Sequence, residues 1–377
     1  MASNVETTGS PDLPATQRAW VVVKQGTPHQ ALDFKSGFPV PKPKRDHVLV
    51  RVHAAALNPV GWKLMGTLPT LLSPRPHPAE HDLAGVVVDT NGSRFSNGDE
   101  VIGFIPVPLQ FSTRQGALAQ YATLPATHLI LKPTKLSWEE AAGIPLAAQT
   151  ALQALRIGGY ELDDPMSPSE GVPEPRPEPE TIFINGGSTA VGIYAIQLAK
   201  AMGFRVVASA SGRNEEFVRN VGADEFIDYQ TQPLPAHLIS NPPNPKFSMI
   251  LDAAGLVDTA LYTQSEAYLA PANGKKGGVY VSTGPWPGGQ SWGKIATDIA
   301  KIISAVGRPA CTGGVRREWK VVSVGHKPEA MKTLCEMVER GTLRPFVDST
   351  HAFPSALDAY DKLMTGRAVG KVVVLVD

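Results

Sequence analysis

The sequence predicts an α/β chain in two parts: a mainly β region, then a region of alternating strands and helices that builds a parallel sheet. Two observations carry that reading. Short runs of alternating apolar residues, punctuated by turns such as Asn91-Gly92 and Asn97-Gly98-Asp99, fill the N-terminal part. From Thr181 onward, strand-like runs alternate with helix-period segments, which in one sheet calls for parallel strands and right-handed crossovers.

Composition bounds the rest. The chain's 377 residues suffice for about two domains with a sizeable core. A hydrophobic share of 42% excludes wholesale disorder. With 35 Lys and Arg against 35 Asp and Glu, the chain lacks the basic field that a nucleic acid or an anionic membrane requires. No run of about 18 apolar residues is present to span a bilayer. Met1–Thr16 is polar and without an apolar h-region, so a loose leader is expected rather than a secretory signal. Cys311 and Cys335 are too few for a disulfide framework or a four-cysteine zinc lobe, and a cytoplasmic location is expected.

Taken in order, strands are predicted at Ala19–Val23, Val48–His53, Leu83–Asp89, Glu100–Gly103, Ala119–Ala122 and His128–Lys132. The period changes at Ser137-Trp138-Glu139-Glu140, a capping box that opens a helix, and Leu146–Leu155 continues in helix formers. Thr181–Asn185, Phe204–Ala208, Phe226–Tyr229, Met249–Asp252 and Val279–Thr283 read as strands, with helices at Val191–Met202 and Glu215–Val221. A helix after Pro328, another at Pro354–Thr365 and a strand at Val372–Val376 close the chain. Proline is in excess: 34 Pro and 35 Gly make about 18% of the residues, against a usual ~12%. Asp163–Glu180 holds six prolines and six acids, and Pro233–Pro245 holds five more prolines. Both stretches are expected to lie outside the core elements, where a missing N–H costs nothing.

The strongest local signal is Asn185-Gly186-Gly187-Ser188-Thr189-Ala190-Val191-Gly192, set between a predicted strand and a predicted helix. Small residues there allow a sharp turn and a close backbone approach to a pyrophosphate at the helix N-terminus, the requirement of a dinucleotide site. An NAD site usually adds an acid about 20 residues on, to bond the ribose 2′-hydroxyl. Ser209-Ala210-Ser211-Gly212-Arg213-Asn214 has none; its hydroxyls and guanidinium suit a 2′-phosphate, which points to NADPH.

With these pieces stand Ala54-Ala55-Ala56-Leu57-Asn58-Pro59, His81-Asp82-Leu83-Ala84-Gly85-Val86-Val87, Gly98-Asp99-Glu100-Val101 and Gly116-Ala117-Leu118-Ala119-Gln120-Tyr121. Gly222-Ala223-Asp224 and Gly370-Lys371-Val372-Val373-Val374 complete the series. From about Gln17 to Asp377 the chain resembles the medium-chain dehydrogenase/reductase superfamily. The resemblance implies a GroES-like β domain (17–147 with 343–377) and a Rossmann domain (148–342), the latter carrying the proline-rich insertion 163–180 after a leader of residues 1–16. Asn58 stands where zinc members place a first Cys ligand, and His81-Asp82 stands at their His-Glu pair, so a zinc-free member is expected, with that pair positioning a loop.

Among zinc-free members the chain most resembles the fungal trans-acting enoyl reductases that partner polyketide synthases, through GGSTA, Asn58-Pro59…Lys63, Thr150, Ser211–Asn214 and Phe226–Tyr229. The likeness implies NADPH-dependent reduction of an enoyl thioester. It places Asn58, Pro59, Lys63 and Thr150 toward the nicotinamide end, with Lys63 and Thr150 as the catalytic candidates. Gly187, Ser188, Thr189, Ala190, Val191 and Gly192 would hold the pyrophosphate. Ser211, Arg213, Asn214 and Tyr229 would surround the 2′-phosphate, while Ser282 and Thr283 would meet the nicotinamide side. Trp286 and Trp292 would line an acyl pocket or anchor their loop. One departure stands out: Gly61 replaces the Asp of the family's N-P-x-D motif, which loosens the orientation of Lys63. A stand-alone quinone or enone reductase, and a non-catalytic NADPH-binding partner protein, are the other readings.

Overall fold

A computed structural model describes residues 13–162, 179–272, 277–285 and 292–376. The predicted insertion 163–180 and Trp286 fall almost wholly outside the described residues, as does the side chain of Trp292. The chain forms two compact units. The first takes Met1–Pro145, Ser349–Arg367 and Val372–Asp377; the second takes Leu146–Asp348 and Ala368–Lys371. Among the described residues no helix is long and apolar enough to cross a membrane.

The first unit is built on antiparallel pairing. β1 (Thr16–Val22), β2 (Leu32–Pro39) and β4 (His77–Pro78) make a small sheet in the order β2-β1-β4. The larger sheet centres on β3 (His47–Ala56), which pairs antiparallel with β5 (Asp82–Asp89), β7 (Tyr121–Pro125) and β16 (Lys371–Leu375). β6 (Glu100–Phe104), β8 (Leu129–Leu131) and β15 (Val347–Ala352) extend it. Ala54, Ala55 and Ala56 are fully buried at the end of β3, where small side chains let neighbouring layers approach. The predicted capping box is present: Glu140 N–H donates to Ser137 Oγ at 3.2 Å, and Ser137 N–H to Glu140 Oε2 at 3.0 Å.

The second unit is a six-stranded parallel sheet in the order β11-β10-β9-β12-β13-β14. The strands are β9 (Thr181–Asn185), β10 (Arg205–Ala210), β11 (Glu225–Asp228), β12 (Met249–Asp252), β13 (Val279–Ser282) and β14 (Glu318–Val321). β9 and β12 are buried along their whole length, as strands covered on both faces must be. After β11 the chain returns to the other side of β9, so the strand order reverses between β9 and β12. In open sheets of this kind, ligands bind beyond the carboxyl ends of the strands at that reversal.

One expectation is corrected. The proline-rich stretch Pro233–Pro245 contains a helix, Leu234–Ser240, whose Leu234 and Leu238 pack with Phe183, Phe247 and Ile250 in the core. Pro233 and Pro235 sit at the helix start, where their missing N–H groups have no intrahelical partner to lose.

Candidate dinucleotide site

At the reversal, Asn185 and Asp252 are register partners across β9 and β12, and their side chains bond directly, Asn185 Nδ2 to Asp252 Oδ1 at 2.8 Å. Ser209, at the matching position of β10, donates its hydroxyl to Asn185 Oδ1 at 2.8 Å. Asp252 also accepts the N–H groups of Gly255 at 3.1 Å and Leu256 at 2.7 Å. Burial pushes the Asp252 carboxyl above the usual carboxylate range, while bonds from Asn185, Leu256, Tyr280 and Gly255 oppose the shift. This hub ties three strand ends to the loop that follows. No motif announced it; the sequence signal was a charged residue ending the otherwise apolar run Met249–Asp252.

The loop turns at Gly186, whose φ of +85° favours glycine. Gly186 and Gly187 N–H both donate to Ser209 O, at 3.0 and 2.8 Å, which pins the turn to the end of β10. Thr189 caps the helix Ala190–Ala201: its Oγ1 accepts Gly192 N–H at 3.0 Å and donates to Gly186 O at 2.8 Å. The N–H groups of Ala190 and Val191 stand in the helix's first turn, where no intrahelical acceptor exists, and both residues are half-buried. A Cβ on Gly192 would lie 2.1 Å from Gly186 O, so the close approach of helix and loop depends on glycine there.

Beside the loop, the structure brings together most of the residues assigned by sequence to the 2′-phosphate. Ser211 Oγ and Tyr229 OH are 3.1 Å apart, and Asn214 Nδ2 donates to Ser188 Oγ at 3.1 Å. Arg213 is exposed on the short turn Gly212–Asn214, and Tyr229 is also exposed. One acid of the Phe226–Tyr229 run, outside the residues assigned to the phosphate, is close by: a Cβ on Gly212 would lie against Asp228 Oδ2. The other Asp228 oxygen accepts Gln230 N–H at 2.9 Å.

The remaining candidates are placed differently. Thr150 is buried in the helix Pro145–Ile157 and donates its hydroxyl to Leu146 O at 2.7 Å, which leaves its oxygen able to accept. Ser282 is fully buried, with Oγ 3.5 Å from Asp252 Oδ2 and accepting Gly284 N–H at 3.2 Å. Thr283 is half-buried at the strand end and turns its hydroxyl to the Asp252 and Ala253 carbonyls.

In the first unit, Asn58 and Pro59 open the helix Pro59–Thr67 that carries Lys63. Asn58 is buried, and its amide points inward to Ala56 O at 3.1 Å and Asp82 Oδ2 at 3.0 Å. Lys63 is half-buried, its Nζ 6.0 Å from the centre of the Trp62 ring. His81 is buried and bonds Ile105 O through Nδ1 at 2.8 Å.

Two family models match the chain: an alcohol dehydrogenase GroES-like domain over residues 44–134, and a zinc-binding dehydrogenase over residues 221–374. The chain is 32% identical to a 2-methylene-furan-3-one reductase of Solanum lycopersicum, over 99% of this chain and 82% of that protein. It is 30% identical to a trans-enoyl reductase of Aspergillus terreus, over 97% of this chain and 98% of the relative. Among solved structures, the quinone oxidoreductase of Coxiella burnetii shares the fold with a TM-score of 0.72 at 23% identity, over 96% and 99% of the two chains.

The residues here do not fit the zinc ion named in the second model. Asn58 and Asp82 bond each other, both cysteines belong to the second unit, and no thiolate accompanies His81 in the first. Among the described residues, no group of three His, Cys, Asp or Glu side chains is arranged to hold a metal.

Proposed function

Since the chain belongs to the medium-chain dehydrogenase/reductase family of nicotinamide-dependent oxidoreductases, we propose that it reduces the carbon–carbon double bond of an α,β-unsaturated thioester with NADPH. The observation that carries the cofactor choice is the set of donors at the loop's rim: Ser211 Oγ paired with Tyr229 OH, Asn214 bonded to Ser188 Oγ, and Arg213 exposed on the same turn. A guanidinium and hydroxyl donors serve a phosphate dianion far better than a ribose hydroxyl. Asp228 lies beside Gly212 with Oδ2 facing it, so the preference for NADPH over NADH measures these donors against that acid.

When bound, the cofactor supplies a hydride for the β-carbon of the enoyl group. The first-turn N–H groups of Ala190 and Val191, together with Gly187 to Gly192 as a close-fitting wall, take the pyrophosphate. Lys63 and Thr150 serve the nicotinamide end. Asn58 and Pro59 act by setting the start of the helix that carries Lys63, while Ser282 and Thr283 act by tying the end of β13 to the end of β12.

The relatives named as a trans-enoyl reductase and a 2-methylene-furan-3-one reductase support an activated alkene as substrate. The sequence likeness to fungal trans-acting enzymes extends this to an acyl chain carried by a polyketide synthase in the cytoplasm. Stopped-flow loss of NADPH absorbance with enoyl thioesters, small enones and quinones tests the reading. Enoyl thioesters are expected to give the highest kcat/KM, with NADPH preferred over NADH. Faster turnover of quinones would replace it with the quinone reductase reading. Tight NADPH binding without any turnover would leave a binding protein.

A further inference from the structure

The helix that carries Lys63 begins without its ordinary cap. Asn58 occupies the N-cap position with φ −133° and ψ 143°, but its side chain makes no capping bond because it is committed to Ala56 O and Asp82. Counting from there, Pro59 is the first helical residue and Gly61 the third. In a capping box the third residue is an acid or amide whose side chain reaches back to the N-cap N–H. Gly61 has nothing to reach with.

Glu80 fills that gap from another part of the chain. Its Oε2 accepts the Asn58 backbone N–H at 3.0 Å. Its carboxyl also occupies the space over Gly61, where an added Cβ would lie 2.3 Å from Oε1 and 3.2 Å from Oε2. Tyr360 holds the group from the far side, its hydroxyl donating to Oε1 at 2.6 Å. The arrangement is costly. Glu80 is 1% exposed and its φ is +64°, a left-handed conformation that a glycine adopts freely and a glutamate does not. Such a conformation persists only where the surrounding structure over-determines it, here through the Asn58 N–H and the Tyr360 hydroxyl.

We propose that Glu80 is a positioning residue for Lys63: it supplies from outside the helix the third-position carboxyl that Gly61 lacks, and Tyr360 locks it in place. The departure at Gly61 from the family motif is thereby made good by a second site. Positions 61 and 80 form an exchangeable pair, glycine with acid in this chain, and acid with glycine as the equivalent arrangement. The part played by Lys63 rests on the function proposed above; the split cap does not.

The test is the exchange itself, in four proteins: wild type, Gly61→Asp, Glu80→Gly and the double variant. Gly61→Asp drives a second carboxyl into Glu80, and Glu80→Gly takes the acceptor from Asn58 N–H and Tyr360 OH. Each single change is expected to lower Tm of the cofactor-free protein by about 5 °C or more. Each is also expected to cut kcat/KM for the enoyl thioester about tenfold. The double variant should return Tm to within about 2 °C of wild type and kcat/KM to within about threefold.

A double variant no better than the two single losses combined overturns the split cap. Recovery of Tm with singles whose kcat and KM match wild type overturns the positioning role while leaving the cap. Should Glu80→Gly not fold, Glu80→Ala replaces it; its methyl group offers no acceptor to Asn58 N–H or Tyr360 OH, so an unchanged Tm and unchanged kinetics in that variant also overturn the proposal. Failure of wild type to turn over any enoyl thioester sinks the proposed function instead, and the Tm exchange still decides the cap.

Discussion

Replacing Gly192 by Ala probes the dinucleotide loop most directly. The new Cβ would stand 2.1 Å from Gly186 O, 2.9 Å from Gly186 C and 3.1 Å from Gly187 Cα, all of them main-chain atoms that no rotamer can move aside. To reach the 3.0 Å that real Cβ contacts respect, the turn must retreat by about 1 Å. Gly186 O is the acceptor for Thr189 N–H at 2.9 Å and Thr189 Oγ1 at 2.8 Å, so the retreat also loosens the helix cap. Overpacking costs about 1–3 kcal/mol and a weakened cap about 1 kcal/mol more. A fall in Tm of about 5–10 °C follows for a unit of this size. A displacement of about 1 Å at a pyrophosphate site costs on the order of 100-fold in function. Gly187→Ala is the milder comparison: the three atoms nearest its Cβ are the Ala208 Cβ at 3.1 Å, which must shift by a few tenths of an ångström, and the Val218 and Ile196 methyls at 3.2 and 3.3 Å, which can turn aside. Fluorescence titration with NADPH and thermal unfolding of both variants give the comparison. The reasoning fails if Gly192→Ala binds NADPH within about threefold of wild type, or if Gly187→Ala is the more damaged of the two.

Three further outcomes are expected. Arg213→Leu should lower the ratio of NADPH to NADH kcat/KM by about 10- to 100-fold, the worth of a charge-assisted phosphate bond, with kcat for NADPH nearly unchanged in steady-state kinetics. Asp252→Ala should remove the acceptor shared by Asn185, Gly255 and Leu256 and cost about 3 kcal/mol or more in urea unfolding, with NADPH binding weakened in parallel. His77 is buried against Phe111, and burial first of all pushes its imidazole down from 6.5 to about 4. Below about pH 6.5 the unfolded chain takes up a proton that the folded chain refuses, so stability is full above that pH and falls toward pH 4, by up to about 3 kcal/mol. Urea midpoints of wild type and His77→Gln at pH 7 and 4.5 check it: the variant's midpoint should change less between the two.

What the sequence made legible was local. Thr181–Asn185, the glycine loop and the helix behind it could be read because strand period, turn chemistry and helix period succeed one another within about 20 residues. The same holds for the Ser137–Glu140 box, whose partners are three residues apart. Pro233–Pro245 was misread because its count of prolines outweighed their placement; Pro233 and Pro235 start a helix whose Leu234 and Leu238 complete a core around Phe183. The cap of the Lys63 helix was out of reach for a different reason. Its parts are Asn58, Gly61, Glu80 and Tyr360, and the bond from Tyr360 to Glu80 spans 280 residues. Read singly, Gly61 is a gap in a motif and Glu80 an ordinary acid before a strand. Only the fold shows that the one side chain stands in the space left by the other. A departure from a family motif is therefore poor grounds for discounting a neighbouring residue such as Lys63, until the volume that the missing side chain vacated has been checked for an occupant.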